Sequence, residues 1–100
     1  MYMKPILFVL KMPFQDEGES WICSHCALIE GAIQVNQSWE DHIDIRRIDF
    51  PKPRREVVEL IGEDKQWLPV LILEDNVTLT DPIEIINYLA STFGGAKVHP

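Results

Sequence analysis

The stretch CSHCALIEGAIQV, residues 23–35, sets two cysteines three positions apart at the start of a helical pattern. Leu28, Ala32 and Val35, with Cys26, Ile29 and Ile33 beside them, recur at three- and four-residue spacing and predict an apolar stripe. Gly31 lies inside this pattern, where it costs roughly 1 kcal/mol relative to alanine; close packing on a sheet is the expected reason for it. The chain has two cysteines, and they are this pair. Coincidence is a poor account of such spacing. A structural disulfide is a poor one too, because closing a two-residue loop constrains the unfolded chain very little. Zinc wants four ligands, and no second pair of this spacing exists; His25, His42 and His99 are scattered. No metal site is expected.

Working outward, Pro5–Leu10 is a continuous apolar run that predicts a strand buried on both faces. Lys11–Trp21 is polar, with Pro13 and Gly18, and reads as a loop. After the helix, Ile43, Ile45 and Ile48 alternate with charged residues and predict a second strand over 42–50, ended by Pro51 and Pro53. Pro53 suits the first turn of a short helix through Val57, Val58, Leu60 and Ile61, stopped at Gly62. Leu68–Leu73 predicts a third strand, Glu74-Asp75-Asn76 a turn, and Val77–Thr80 a fourth strand completing a hairpin. Asp81-Pro82-Ile83-Glu84 matches a capping box. Pro82, Ile86, Leu89, Ala90 and Phe93 follow on one face, ended by Gly94-Gly95.

The predicted order is strand, helix, strand, helix, strand, strand, helix: an α/β domain with a four-stranded mixed sheet flanked by three helices. The first two strands should be parallel with a right-handed crossover. The expected extent is one domain over 1–100, with its core in 5–93 and a loose tail over 94–100. A single unit with nothing appended is the expectation.

Of the 100 residues, 46% are apolar and 25% charged, which excludes disorder. The longest uncharged apolar run is far short of the ~18–20 residues of a membrane span, and no signal-peptide cleavage pattern follows it. No membrane association and a cytoplasmic location are the expectations. The net charge of −7 argues against nucleic-acid binding. Five of the nine bases, Arg46, Arg47, Lys52, Arg54 and Arg55, nevertheless fall between residues 46 and 55, where Asp49 is the one acid. This island is either an anion site or a solvated face.

The order of elements, with Cys23 and Cys26 opening the first helix, resembles the thioredoxin superfamily in its minimal, glutaredoxin-like form. Leu68-Pro69-Val70-Leu71 is similar to the cis-proline segment of that superfamily. Leu79-Thr80-Asp81 is similar to the Thr-Asp of glutaredoxins and the Glu-Ser of glutathione-transferase N-terminal domains. The whole string also resembles a small uncharacterised bacterial family of this fold. Several features depart from the pattern. The glutaredoxin lysine before the cysteines and the Gly-Gly before Thr-Asp are absent, and the loop before Cys23 is long and carries Asp16, Glu17 and Glu19. The thioredoxin Trp-Cys-Gly-Pro-Cys signature is missing too, although Trp21 lies two residues before Cys23.

A helix N-terminus carries partial positive charge and free N–H donors, so it stabilises a thiolate. Cys23 is thus expected to be the nucleophile and Cys26 the cysteine that resolves the mixed disulfide. Protonated His25 should favour the thiolate further and make the disulfide more oxidising. The resemblance implies a cis bond between Leu68 and Pro69, and a Leu68 backbone that pairs with substrate. It also implies a γ-glutamyl contact for Thr80 and Asp81. Parallel pairing of the first two strands should bring Lys52, Arg54 and Arg55 to the cysteine edge, where a glutathione carboxylate can be held. Trp21, Trp39 and Trp67 could mark a partner surface, or Trp39 and Trp67 could be core or rim residues. The expected function is thiol–disulfide exchange on protein or small-molecule disulfides, with glutathione as co-substrate and no tightly bound cofactor. The alternatives are a module that assembles a metal or iron–sulfur centre through Cys23, and a redox-sensing adaptor without turnover.

Overall fold

Every residue of Leu7–Leu10 is buried, because this run lies in a central strand with helices over both of its faces. In the computed structural model, which describes residues 4–74 and 77–100, that strand is β1 (Ile6–Leu10). Its neighbours are β4 (Asp44–Ile48) and β5 (Val70–Ile72); β6 (Thr78–Leu79) pairs with β5, so the sheet order is β4-β1-β5-β6. β1 and β4 run parallel, with Leu10 opposite Ile48, and the other two pairings are antiparallel. The fold of the described residues is therefore mixed α/β, with a four-stranded mixed sheet and three α-helices, α1 (Ser24–Val35), α2 (Arg55–Ile61) and α3 (Pro82–Phe93). Residues 75 and 76 of the expected turn lie outside the described residues.

Side chains alternate across a strand, so β1 feeds two cores. Leu7 and Val9 meet Cys26, Ile29 and Ile33 of α1 and Ile85, Ile86 and Leu89 of α3. Phe8 meets Val57 of α2 together with Val70, Ile72 and Ile48. Thus α1 and α3 cover one face and α2 the other. No helix among the described residues is long and apolar enough to cross a membrane.

Several local expectations need correction. The segment read as a loop contains a hairpin of β2 (Phe14–Asp16) and β3 (Glu19–Trp21). Its two-residue turn puts Glu17 at φ 50° and Gly18 at φ 78°, the left-handed pair that matches the twist of tight hairpins. On α1 the buried stripe is Cys26, Ile29 and Ile33, whereas Leu28 and Val35 are exposed. Gly31 is exposed as well, with nothing within 4 Å of a built Cβ, so it does not serve packing on the sheet. Pro53 precedes the Arg54 N-cap of α2 rather than occupying its first turn. Asp81 is the N-cap of α3, with Pro82 following, but its carboxylate makes no capping hydrogen bond.

Residues 94–100 form no regular element, yet the segment does not hang loose. The Asn36 amide donates to the Ala96 carbonyl (3.3 Å) and accepts from the Ala96 N–H (2.8 Å). The fully buried Trp39 sits in a 3₁₀ turn (Gln37–Asp41) and donates from Nε1 to the Gly94 carbonyl (2.7 Å). Trp39 is a core residue, while Trp21 and Trp67 are exposed.

Candidate functional site

Parallel pairing brings the ends of β1 and β4 to one edge, and antiparallel β5 starts there. The segments leaving Leu10 and Ile48 and entering Val70 therefore converge on the start of α1. Between them lies an open groove of ≈ 540 Å³, lined by Leu10, Phe14, Cys23, Lys52, Arg54, Gln66, Trp67 and Leu68 among others.

Cys23 is the N-cap of α1, and its Sγ accepts a hydrogen bond from the Cys26 amide (3.3 Å). An N-cap side chain satisfies one of the free N–H groups of a first helical turn, and here sulfur takes the place usually held by a hydroxyl or carboxylate oxygen. The Cys23 amide donates to the Met12 sulfur at 3.2 Å, which ties the start of α1 to the strand-to-hairpin connection. Cys23 is half-buried and Cys26 fully buried, both as free thiols. The Cys26 sulfur accepts from the Leu10 amide (3.4 Å). Burial pushes the Cys26 thiol up to about 12; the Leu10 hydrogen bond opposes the shift and the neighbouring Cys23 sulfur adds to it. The pair thus consists of one sulfur open to the groove and one held neutral beneath it.

The walls are tied together by aromatic and guanidinium contacts. The Phe14 ring of the hairpin stacks on Phe50, with centroids 4.4 Å apart. Arg54 Cζ lies 5.6 Å from the centre of the Phe50 ring. Its Nε and Nη2 donate to the Phe50 carbonyl (3.0 and 2.8 Å), and its Nη1 donates to the Gln66 carbonyl (2.6 Å). The Arg54 amide in turn donates to Gln66 Oε1 (2.7 Å).

Of the residues singled out in the sequence, Cys23, Lys52, Arg54 and Leu68 meet in this groove. Pro69 is buried directly behind Leu68, and the bond between them is cis. His25 is exposed on the first turn of α1 and does not line the groove; neither do the exposed Thr80 and Asp81. The basic island divides. Arg46 pairs with Asp44 and Glu56, and Arg47 makes a two-pronged pair with Glu30. Lys52 makes no ion pair among the described residues. The sequence reading missed Met12, Phe14, Phe50 and Gln66. Gly18 was the available signal for the hairpin that delivers Phe14.

A family model described as "Protein of unknown function (DUF3088)" matches residues 4–97, which includes every element of the sheet and the whole groove. The chain belongs to that family. No curated protein and no solved structure matches it. In this DUF3088 member, the cysteine pair, the hairpin and the Arg54 contacts all fall within the matched residues.

Proposed function

We propose that the chain is a thiol–disulfide oxidoreductase of thioredoxin-like, glutaredoxin-related architecture, using Cys23 as nucleophile and Cys26 as resolving cysteine. The observation that carries the reading is the arrangement of the pair. An accessible sulfur caps a helix and opens into a groove, while a second sulfur lies buried one turn along the same helix. The sheet order, with β1 and β4 parallel and β5 and β6 antiparallel, supports it, as does Pro69 behind the groove residue Leu68.

In the proposed reaction the Cys23 thiolate attacks one sulfur of a disulfide. The S–S bond breaks, and the departing thiolate takes the electron pair and then a proton. Cys26 next gives up its proton and attacks Cys23 Sγ, releasing the second thiol and leaving a Cys23–Cys26 disulfide. Two glutathione molecules restore the dithiol and are oxidised to glutathione disulfide. Burial disfavours the Cys26 thiolate at neutral pH, so a second glutathione can resolve the mixed disulfide in its place. The Lys52 ammonium is suited to the glycine carboxylate of glutathione, and Leu68 to its backbone. Asp81, whose carboxylate is not used in capping, is suited with Thr80 to the γ-glutamyl end.

Intact-mass analysis of the protein exposed to glutathione disulfide tests the reading. Wild type should end two hydrogens lighter, as the internal disulfide, with no adduct retained. Cys26→Ser should stall with one glutathione on Cys23. Wild type that keeps a glutathione adduct and never forms the internal disulfide would contradict the proposal.

A further inference from the structure

Arg54 holds two pieces of chain directly and a third through one of them. Its guanidinium closes on the Phe50 carbonyl with two nitrogens and on the Gln66 carbonyl with the third. Its amide takes the Gln66 side chain, whose Nε2 donates to the Glu63 carbonyl (2.9 Å). Through Phe50, on whose ring it also sits, it supports the stacked Phe14 and so the β2–β3 hairpin. Gln66 is two residues before Leu68, so the connection into β5 is fixed by the same side chain. The three walls over Cys23 thus share one anchor. A guanidinium suits this role because it presents a planar fork of donors, whereas a lysine ammonium offers a single point charge.

The same group brings a positive charge to the cysteine edge that cannot swing away, since three of its nitrogens are committed. Burial lowers the Arg54 guanidinium from its ordinary value, and the sulfurs of Cys26 and Cys23 act in the opposite sense. Arginine nevertheless stays charged throughout the working range. The other charged groups lining the groove are Lys52 and Asp64. His25 and the hairpin acids Asp16, Glu17 and Glu19 lie outside the lining.

We propose that Arg54 is the positioning residue of this groove, fixing the Phe50 and Leu68 segments about Cys23 and supplying a fixed cation to the Cys23 sulfur. Its effect on turnover rests on the oxidoreductase reading; its effect on the reactivity of Cys23 does not.

Two variants and two readouts separate these effects. Arg54→Gln removes the charge and the fork, whereas Arg54→Lys keeps the charge and removes the fork. Alkylation of Cys23 by iodoacetamide, followed between pH 6 and pH 9, should slow roughly three- to tenfold in Arg54→Gln, as expected for losing a nearby unit charge. Arg54→Lys should keep a profile close to wild type. In a glutathione-coupled assay both variants should show a raised KM for the disulfide, because the groove walls are no longer tied. An unchanged alkylation profile in Arg54→Gln, or a wild-type KM in Arg54→Lys, overturns the proposal. If circular dichroism shows that Arg54→Gln does not fold, the KM of Arg54→Lys decides. If wild type lacks turnover, the oxidoreductase reading fails, and the alkylation profile of Arg54→Gln still decides the role of the charge.

Discussion

Phe14 and Phe50 lie face to face, their ring planes 12° from parallel, and this contact joins an exposed hairpin to the segment that leaves β4. Among the described residues β2 and β3 pair only with each other and form a separate two-stranded sheet. Small hairpins are marginal alone, so the hairpin depends on such anchors for its position.

Phe14→Ala should therefore loosen the hairpin more than the domain. The stacking itself is worth about 0.5–1.5 kcal/mol beyond area burial. Limited trypsin digestion should cut after the exposed Lys11 faster than in wild type, while the main thermal transition shifts by only a few degrees. Equal cleavage rates would show that the stack does not hold the hairpin.

The cysteines should differ sharply toward reagents. With Cys23 half-buried and Cys26 fully buried, iodoacetamide at pH 7.5 should modify Cys23 in the folded dithiol and reach Cys26 only in denaturant. Peptide mapping by mass spectrometry checks this. Comparable labelling of both in the native state would contradict the burial that separates them.

Cys26 also makes stability depend on pH in a definite direction. Its folded-state value, about 12, lies above the ordinary thiol value of 9.0. The folded state thus holds its proton where the unfolded chain releases it. The contribution is fully present below about pH 9 and is lost as pH rises toward 12. Urea titrations at pH 8 and pH 10.5 should show a larger loss for wild type than for Cys26→Ala. Equal losses would mean that the buried thiol does not couple to folding.

The return of the chain after α3 is specified by Gly95. Its φ is +118°, and a Cβ there would lie 2.5 Å from Asn36 Oδ1, the atom that accepts from Ala96. Gly95→Ala should cost about 1–3 kcal/mol, read as a lower urea midpoint with an unchanged slope. Trp39→Phe, which removes the donor to Gly94, should cost about 1 kcal/mol or more by leaving that carbonyl short of a partner. Wild-type midpoints in both would contradict the docking of the tail.

How far the sequence could be read follows from the range of the interactions involved. β1 and β5 are apolar runs, and α3 carries a proline start and a glycine stop; these are local signals, and they were legible. The parallel pairing of β1 and β4 follows from the helix between them. The buried face of α1 was not fixed locally, because apolar residues lie around most of the helix and only packing on β1 and α3 selects Cys26, Ile29 and Ile33. Strands of three residues such as Phe14–Asp16 leave no alternation to detect. Of the site, Cys23, Cys26 and Leu68 stood out through spacing and resemblance, and Lys52 through the basic island. The framework role of Arg54 stayed hidden because its partners are backbone carbonyls, among them that of Gln66, twelve residues away.

Glutathione-coupled reduction of a disulfide substrate by wild type, Cys23→Ser and Cys26→Ser tests the central claim most directly. Turnover in wild type, its abolition in Cys23→Ser and its partial retention in Cys26→Ser is the predicted result, because glutathione can replace the resolving sulfur but not the attacking one. Wild type that fails to turn over, or a Cys23→Ser variant as active as wild type, would contradict the account.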